Sequence, residues 1–346
     1  MALTRVNPVS QAASGWKDSA VLIRFLTRRL VHAIVIILLT IVVNFAIVHL
    51  APGDAAEILA GQAGGANPAY IAQLQHQFGL DQPLYVQFAK YFWNVLHLNL
   101  GYSFEYGSSV FDLIVGRLPA TLILMLSSIG IAFVAGIALG VAAARRRNSA
   151  IDTIISIASL LLYATPLFLL GLMLILLFTL DLGWLPSSGM ETIGATEGIV
   201  GHTFDVFRHL ILPMATLSMF YVATYSQLMR AAMIDVYGMN FVRTARAKGL
   251  SPRRIAYRHV MRNAILPLVT AAGTQVGYLF GGAVVVEVVF GWPGLGQLAF
   301  NAVFQRDNTL LLGILLLSSI AVVVMNLVLD LLYAWLDPRI EIVEHR

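Results

Sequence analysis

Few side chains in this sequence have the types and spacing that catalysis or metal binding requires. The chain of 346 residues contains no cysteine, which excludes disulfide bonds, thiolate zinc sites and cysteine nucleophiles. Its eight histidines are scattered over different segments, and the patterns GxxxxGK(S/T), HExxH and GxSxG are absent. The sequence therefore predicts no catalytic residue, no metal site and no cofactor bound by this chain.

One carboxylate lies in an otherwise apolar stretch. Glu287 follows the apolar residues 282–286 and precedes two valines. A charge at that depth costs about 2.5 kcal/mol or less, so the side chain should face water, a partner group or a cavity rather than lipid. Two interpretations stay open with equal weight: Glu287 belongs to a translocation pathway, or it makes a structural hydrogen bond to the adjacent loop 291–296.

Small residues recur every fourth position in two apolar stretches. The stripes consist of Ala132, Gly136, Gly140 and Ala144, and of Gly273, Gly277 and Gly281. Small residues on one helical face let a neighbouring helix backbone approach closely within lipid. Both stripes are first of all predicted packing surfaces, and the glycines of the second are also candidates for the lining of a narrow conduit.

The segment 230–262 is rich in arginine and predicts a helix, a tight turn and a second helix. Good helix formers precede Gly249, and a glycine suits the left-handed position that closes a helix. Ser251 followed by Pro252 is an N-cap with proline at the first helical position. The second helix would lie too near the bilayer to enter a DNA groove, so the segment is interpreted as a docking element for a soluble protein.

The composition indicates that these residues belong to a membrane protein. Hydrophobic residues make up 58% and charged residues 12% of the chain, and the mean hydropathy is +0.80; soluble domains carry about 25% charged residues. Six uncharged stretches are each long enough to cross the hydrocarbon core as a helix. They are Leu30–Ala51, Leu118–Ala144, Thr153–Leu180, His209–Met229, Asn263–Val286 and Asn308–Leu329.

The basic residues predict the orientation of these six helices. Alternate connections, namely residues 1–29, 145–152, 230–262 and 330–346, contain 18 of the 22 Lys and Arg residues. By the positive-inside rule both termini are therefore expected in the cytoplasm. The positive charge is explained by topology, and we expect no nucleic-acid partner.

The predicted organisation is a leader, one transmembrane domain and a short tail. The leader is assigned to residues 1–22, the transmembrane domain to 23–340 and the cytoplasmic tail to 341–346. The outer loop 52–117 contains apolar residues at helical spacing, which predict a helix over 83–96 on the membrane surface or on the bundle. Its stripe consists of Leu84, Phe88, Tyr91, Phe92, Val95 and Leu96.

Several strings in this sequence carry a family resemblance. They are Tyr237–Leu268, Ala51–Ala55, Phe78–Ala89, Leu100–Glu105, Glu287–Gln297 and Leu331–Ile340. Together they resemble the permeases of binding-protein-dependent ABC importers, specifically the dipeptide, oligopeptide and nickel branch, over about residues 22–340. The general importer pattern has Glu-Ala-Ala six residues before its glycine, where this sequence has Arg243, Thr244 and Ala245.

The resemblance implies the type I permease fold in a bacterial cytoplasmic membrane. It also implies four kinds of partner: lipid, a second and different permease, two ATPase subunits that bind ATP and Mg²⁺, and an extracytoplasmic solute-binding protein. The family's coupling loop sits in a groove of the ATPase. That role carries over to Arg243, Thr244, Ala245, Arg246, Ala247, Lys248, Gly249, Leu250, Ser251 and Pro252. The implied activity is transport of di- or oligopeptides, with ATP hydrolysed by the partners.

Two alternatives remain at this point. Closely similar permeases handle nickel, glutathione and opine-like solutes, so the substrate class stays open. A secondary carrier that works alone is the less favoured alternative, because it would need ionisable residues or broken helices within the membrane. Pro166 and Pro213 are the candidate helix breaks.

Overall fold

A computed structural model describes residues 19–50, 68–78, 81–194 and 198–336. Most of the predicted leader, the residues 52–67 of the outer loop and the whole predicted tail lie outside these ranges. The sequence predictions made for those parts therefore stay predictions.

The described residues are almost entirely helical. The helices are α1 (Ser19–Leu50), α2 (Pro68–Phe78), α3 (Leu84–Leu96), α4 (Val110–Arg145), α5 (Ala150–Ala164), α6 (Leu167–Ile175), α7 (Ile199–Tyr237), α8 (Asn240–Ala247), α9 (Pro252–Arg254), α10 (Met261–Val289), α11 (Leu295–Gln305) and α12 (Asn308–Leu336). Two π-helical turns, Leu176–Asp181 and Ile255–Val260, extend α6 and join α9 to α10. Strands β1 (Tyr102–Ser103) and β2 (Ser108–Ser109) form an antiparallel hairpin.

Four helices in the described residues are long and apolar enough to cross a membrane, and the bent pair α5–α6 makes a fifth if it counts as one span. The four are Thr27–Ile47, Val110–Arg145, Ile199–Tyr237 and Asn308–Val328. They coincide with the first, second, fourth and sixth predicted stretches. The fifth predicted stretch lies along the 29-residue helix α10.

The third predicted stretch is not one straight helix, because α5 and α6 meet at an angle of 103°. Thr165, between them, has φ −77° and ψ 126°, an extended conformation. A residue before proline avoids the helical region, and Pro166 itself has no N–H to donate. The other candidate break is wrong, since Pro213 lies inside the continuous helix α7.

The described residues divide into two compact units, and the boundaries fall within α4 and α11. The first unit contains the residues up to Val115 and those from Ala302 onward. In it α1 packs along α12, and the buried Asn44 amide donates a hydrogen bond of 3.2 Å to the Leu312 carbonyl. The predicted surface helix is present as α3. Its Phe88, Tyr91, Phe92 and Val95 pack in one cluster with Ile37, Ile41, Leu100, Leu316 and Ile320.

The second unit is built around α7, which packs against α5, α6 and α10. The first glycine stripe forms the predicted packing surface in this unit. A Cβ on Gly136 would lie 2.5 Å from the Tyr225 Cβ, and one on Gly140 would lie 2.6 Å from the Met229 Cβ. Only glycine therefore permits this approach of α4 to α7.

Candidate coupling site

The Arg-rich segment, defined as residues 230–262, begins inside α7. This helix continues eight residues beyond Met229, where the predicted span ended, and closes at Tyr237. A short turn then leads into α8, whose Val242 and Ala245 are buried. The packing partner of α8 is the π-helical turn Ile255–Val260, so α8 is held against the helix that follows it.

The C-terminus of α8 has the hydrogen bonds of a Schellman motif. The Gly249 N–H donates to the Arg246 carbonyl at 2.9 Å, and the Leu250 N–H donates to the Ala245 carbonyl at 3.3 Å. Gly249 has φ +75°, the left-handed conformation that glycine adopts without steric cost. No atom lies within 4 Å of a Cβ built there. The glycine is therefore required by the backbone conformation and not by crowding.

The next helix begins as the sequence predicts. The Ser251 hydroxyl accepts a hydrogen bond of 3.4 Å from the Arg254 N–H, and Pro252 occupies the first helical position. The predicted helix ends near Arg262, with the Arg-rich segment, but α9 passes through the π-helical turn directly into α10. The elbow, defined as Lys248–Pro252, is thus followed by helical backbone as far as Val289.

The ten residues of the predicted coupling loop lie together on one short stretch of surface. Eight are exposed, Leu250 is half-buried and Ala245 is buried with 7% of its surface exposed. Ala245 therefore anchors α8 instead of presenting its side chain outward. The exposed charged side chains of this stretch are all positive, and no acidic residue occurs between Asn240 and Arg262. The surface is electrostatically suited to an acidic partner surface.

Two contacts from outside the Arg-rich segment hold it, and neither is predicted from the sequence. Arg230 makes a bidentate ion pair with Asp152, with N–O distances of 2.5 and 2.9 Å. Arg145 donates to the Tyr257 hydroxyl at 3.1 Å, and its guanidinium carbon lies 5.1 Å from the ring centroid. The available sequence signal was Ser149-x-x-Asp152, a capping-box spacing that marks the start of α5.

Glu287 is completely buried and both of its oxygens are hydrogen-bonded. Oε1 accepts from the Thr121 hydroxyl at 2.7 Å. Oε2 accepts from the backbone N–H groups of Gly296 at 2.6 Å and Gln297 at 3.1 Å, which lie in the first turn of α11. This geometry corresponds to the structural alternative, in which the carboxylate ties α10 to the following loop and helix.

The loop after α10 is packed tightly around that carboxylate. A Cβ on Gly294 would lie 2.2 Å from Glu287 Oε1, and one on Gly296 would lie 2.5 Å from the Val284 Cα. Trp292 is fully buried, and its indole N–H donates to the Ala120 carbonyl at 2.9 Å. We call Thr121, Glu287, Gly294, Gly296 and Gln297 the Glu287 cluster.

The second glycine stripe differs from the first in its packing at Gly281, the one position of that stripe whose surroundings the structure describes. Gly281 is exposed, and no atom lies within 4 Å of a Cβ built on it. Gly273 and Gly277 belong to α10, but their surroundings lie outside the described part of the structure. The predicted conduit lining therefore stays a prediction. Among the described residues, no group of three His, Asp or Glu side chains could hold a metal ion.

Two family models match this chain. The model described as "Binding-protein-dependent transport system inner membrane component" matches residues 136–342, which include the whole Arg-rich segment and the loop after α10. The model described as "Binding-prot-dependent transport system membrane comp, N-term" matches residues 22–125. Together they extend over nearly all of the described residues.

Curated relatives are similar over almost their full length. The chain is 39% identical to the oligopeptide transport system permease protein AppB of Bacillus subtilis, covering 92% of this chain and 99% of AppB. It is 37% identical to the di/tripeptide transport system permease protein DppB of Pseudomonas aeruginosa, with coverages of 92% and 99%. It is 38% identical to the glutathione transport system permease protein GsiC of Salmonella paratyphi A, again with 92% and 99%.

A solved structure has a similar fold. A chain of the MetNI methionine ABC transporter, solved in inward-facing conformations, superposes with a TM-score of 0.53 at 18% identity. The match covers 65% of the present chain and 96% of that chain. At this level of identity the likeness concerns the arrangement of helices alone.

Proposed function

Because this chain belongs to the family of binding-protein-dependent transport system inner membrane components, we propose that it is a membrane-spanning permease subunit of an ATP-driven ABC importer for peptides. The observation that carries this proposal is the elbow: an exposed turn in a positively charged stretch, which follows the 39-residue α7 and the short α8 and precedes the helical backbone from Pro252 to Val289. Such a turn is suited to receive a displacement from a soluble partner and to pass it to the spans on either side.

The proposed topology has six spans with both termini in the cytoplasm of a bacterial cell. The bent pair α5–α6 is the third span and α10 the fifth. The location of 18 of the 22 basic residues on alternate connections supports this orientation. The elbow then faces the cytoplasm, and the Glu287 cluster lies toward the outer surface.

The proposed complex contains two permeases and two ATPase subunits, with a solute-binding protein outside. The second permease is expected to be a similar but different chain. ATP and Mg²⁺ bind to the ATPase subunits, and this chain contributes half of the translocation pathway. When the ATPases close, they displace the elbow, and α7 and α10 move with it to exchange the inward-open and outward-open states.

Peptides are the favoured substrate class because two of the three named relatives are an oligopeptide and a di/tripeptide permease protein. The glutathione permease protein GsiC is almost equally similar, so glutathione is the second candidate. Nickel complexes and opine-like solutes remain further alternatives within the same architecture. The ligand that co-purifies with the partner solute-binding protein will distinguish them.

A carrier that works alone would share one observed feature, the break between α5 and α6 at Pro166. The deciding experiment is reconstitution in liposomes, either of this chain alone or of the complete complex with ATP inside the liposomes and the binding protein outside. We expect uptake of labelled di- or oligopeptide only with the complete complex and only with hydrolysable ATP. Peptide accumulation by this chain alone would refute the proposal.

A further inference from the structure

The connection between α4 and α5 contacts both arms of the Arg-rich segment, one on each side of the elbow. We infer that Asp152 and Arg145, in this α4–α5 turn (Arg145–Asp152), are positioning residues for transport. They pass the motion of the Arg-rich segment to α4 and α5, so that four helices follow the ATPases instead of two. This inference rests on the proposed function and adds to it a route of transmission and the residues that form it.

The first contact is stronger than the local fold requires. Asp152 stands three residues after the N-cap Ser149, and its Oδ2 accepts a hydrogen bond of 3.0 Å from the Asn148 N–H. That bond and the N-terminal position already stabilise the carboxylate. The bidentate pair with Arg230 is additional, and it links residues 78 positions apart. Two parallel bonds restrict the rotation of the two side chains as well as their separation. The start of α5 therefore moves together with the C-terminal part of α7.

The carboxylate of this pair is buried, which distinguishes the pair from an exposed surface contact. The Asp152 side chain is 5% exposed and that of Arg230 is 27% exposed. Exposed ion pairs contribute little because water and salt screen them, whereas a buried carboxylate deprived of its partner is strongly disfavoured. Separation of α5 from α7 at this point therefore carries a real energetic penalty.

The second contact holds the other arm. Arg145, the last residue of α4, donates to the hydroxyl of Tyr257 and lies near its ring. Tyr257 belongs to the π-helical turn between α9 and α10. Arg145 and Asp152 are only seven positions apart in the chain, so this short turn connects a contact before the elbow to one after it. A displacement of the elbow cannot separate the two arms without breaking one of these contacts or moving the turn.

Close packing also prevents α7 from sliding along α4 when the elbow is displaced. A Cβ on Gly140 would lie 3.1 Å from the Arg230 backbone nitrogen and 2.6 Å from the Ser226 carbonyl oxygen. Deeper in the unit, the Ser159 and Ser226 hydroxyls are 2.8 Å apart and join α5 to α7 again. Densely packed helices move as units and do not deform continuously. This packing therefore keeps α4 and α5 with α7, and the α4–α5 turn connects the same two helices to the second arm as well.

The test uses the complete complex in liposomes, with ATP hydrolysis and peptide uptake measured on the same preparation. Asp152→Asn keeps the shape and can still accept from the Asn148 N–H, but it removes the ion pair. We expect peptide transported per ATP hydrolysed to fall about fivefold or more, the lower end of typical coupling between sites, while the ATPases still co-purify. The double exchange Asp152→Arg with Arg230→Asp should recover part of the loss.

A second pair of variants keeps the test decisive if Asp152→Asn does not assemble. Tyr257→Phe removes the hydroxyl that accepts from Arg145 but keeps the ring, whereas Arg145→Gln removes the guanidinium from both the hydroxyl and the ring. Both positions are exposed, and each variant should lower the same ratio by a smaller factor. The matched control is Asp235→Asn, which removes an exposed carboxylate from α7 and should leave the ratio unchanged.

The outcomes separate this inference from the proposed function. A wild-type complex without ATP-dependent uptake refutes the proposed function, and the inference with it. A wild-type complex that transports, together with variants whose ratio stays within about twofold of it, refutes the inference alone. Loss of assembly in every variant also refutes it, because the contacts would then be purely structural.

Discussion

The elbow and the Glu287 cluster both depend on glycine next to a helix start, but for opposite reasons. At the elbow, Gly249 has a positive φ and open space around it. In the Glu287 cluster, Gly294 cannot carry a side chain, because a Cβ built on it would lie 2.2 Å from the buried carboxylate. The first glycine sets a backbone conformation on an exposed surface, and the second makes room in a packed interior. The two turns are therefore expected to respond differently to substitution.

The largest effect is expected at Gly294. Gly294→Ala would force the Glu287 carboxylate away from its hydrogen-bond donors, and overpacking of this kind costs about 3 kcal/mol. The thermal unfolding midpoint of the purified chain in detergent should fall by several degrees. Gly281→Ala, at an exposed position with open space on α10, is the matched control and should leave the midpoint unchanged. Equal midpoints for the two variants would contradict the packed geometry.

The next largest effect tests the charge of the same cluster. Glu287→Gln keeps the shape but replaces one acceptor oxygen with an NH₂ group, and it removes charge-assisted bonds to the first turn of α11. Loss of such bonds costs about 2 kcal/mol. The measurement is the same unfolding midpoint, and Gln305→Glu, a change on an exposed side chain of α11 outside the cluster, serves as the comparison. If Glu287 belongs to the pathway instead, transport should fall while the midpoint stays the same.

A smaller loss of stability and a larger loss of function are expected at the elbow. Gly249→Val places a β-branched residue in the left-handed region, which costs about 1 to 2 kcal/mol in the turn. We expect the variant to remain in the membrane and to lose ATP-driven uptake in the reconstituted complex. Gly249→Asn should retain most of the activity, because asparagine tolerates this conformation. Normal uptake by the valine variant would show that the elbow is not the coupling element.

The smallest effect on folding is expected from the exposed charges. Arg246→Ala with Lys248→Ala should change the free energy of unfolding by no more than about 0.5 kcal/mol. The same change should weaken binding of the ATPase subunits, and the wild-type affinity should decrease more steeply with salt than that of the variant. Titration of the ATPase onto the purified permease at two salt concentrations measures both. If ATPase binding depended on salt equally in the wild type and the variant, the positive charges of this surface would not contribute to binding.

The features found from sequence alone are those with local signals. Gly249, Ser251 and Pro252 fix the elbow through backbone preferences that do not depend on distant residues. Long apolar stretches likewise predict helices without reference to their neighbours. The exposed, basic part of the candidate site was predictable for the same reason.

The features missed from sequence depend on contacts between distant residues or on context. Asp152 and Arg230 are 78 positions apart, and no periodicity indicates that they meet. The two prolines have the same local chemistry, yet only Pro166 breaks a helix, while the buried Pro213 is accommodated inside α7. Packing around a proline decides between these outcomes, and a sequence pattern does not contain it.

The elbow and the Glu287 cluster lie at opposite ends of one stretch of helical backbone, Pro252–Val289. At about 1.5 Å per residue this stretch is about 57 Å long. In the proposed topology, a rotation about its long axis that begins at the elbow is carried along this helical backbone to the first contacts of α11. The inner and outer ends of the proposed pathway would then be linked mechanically by one continuous helical segment.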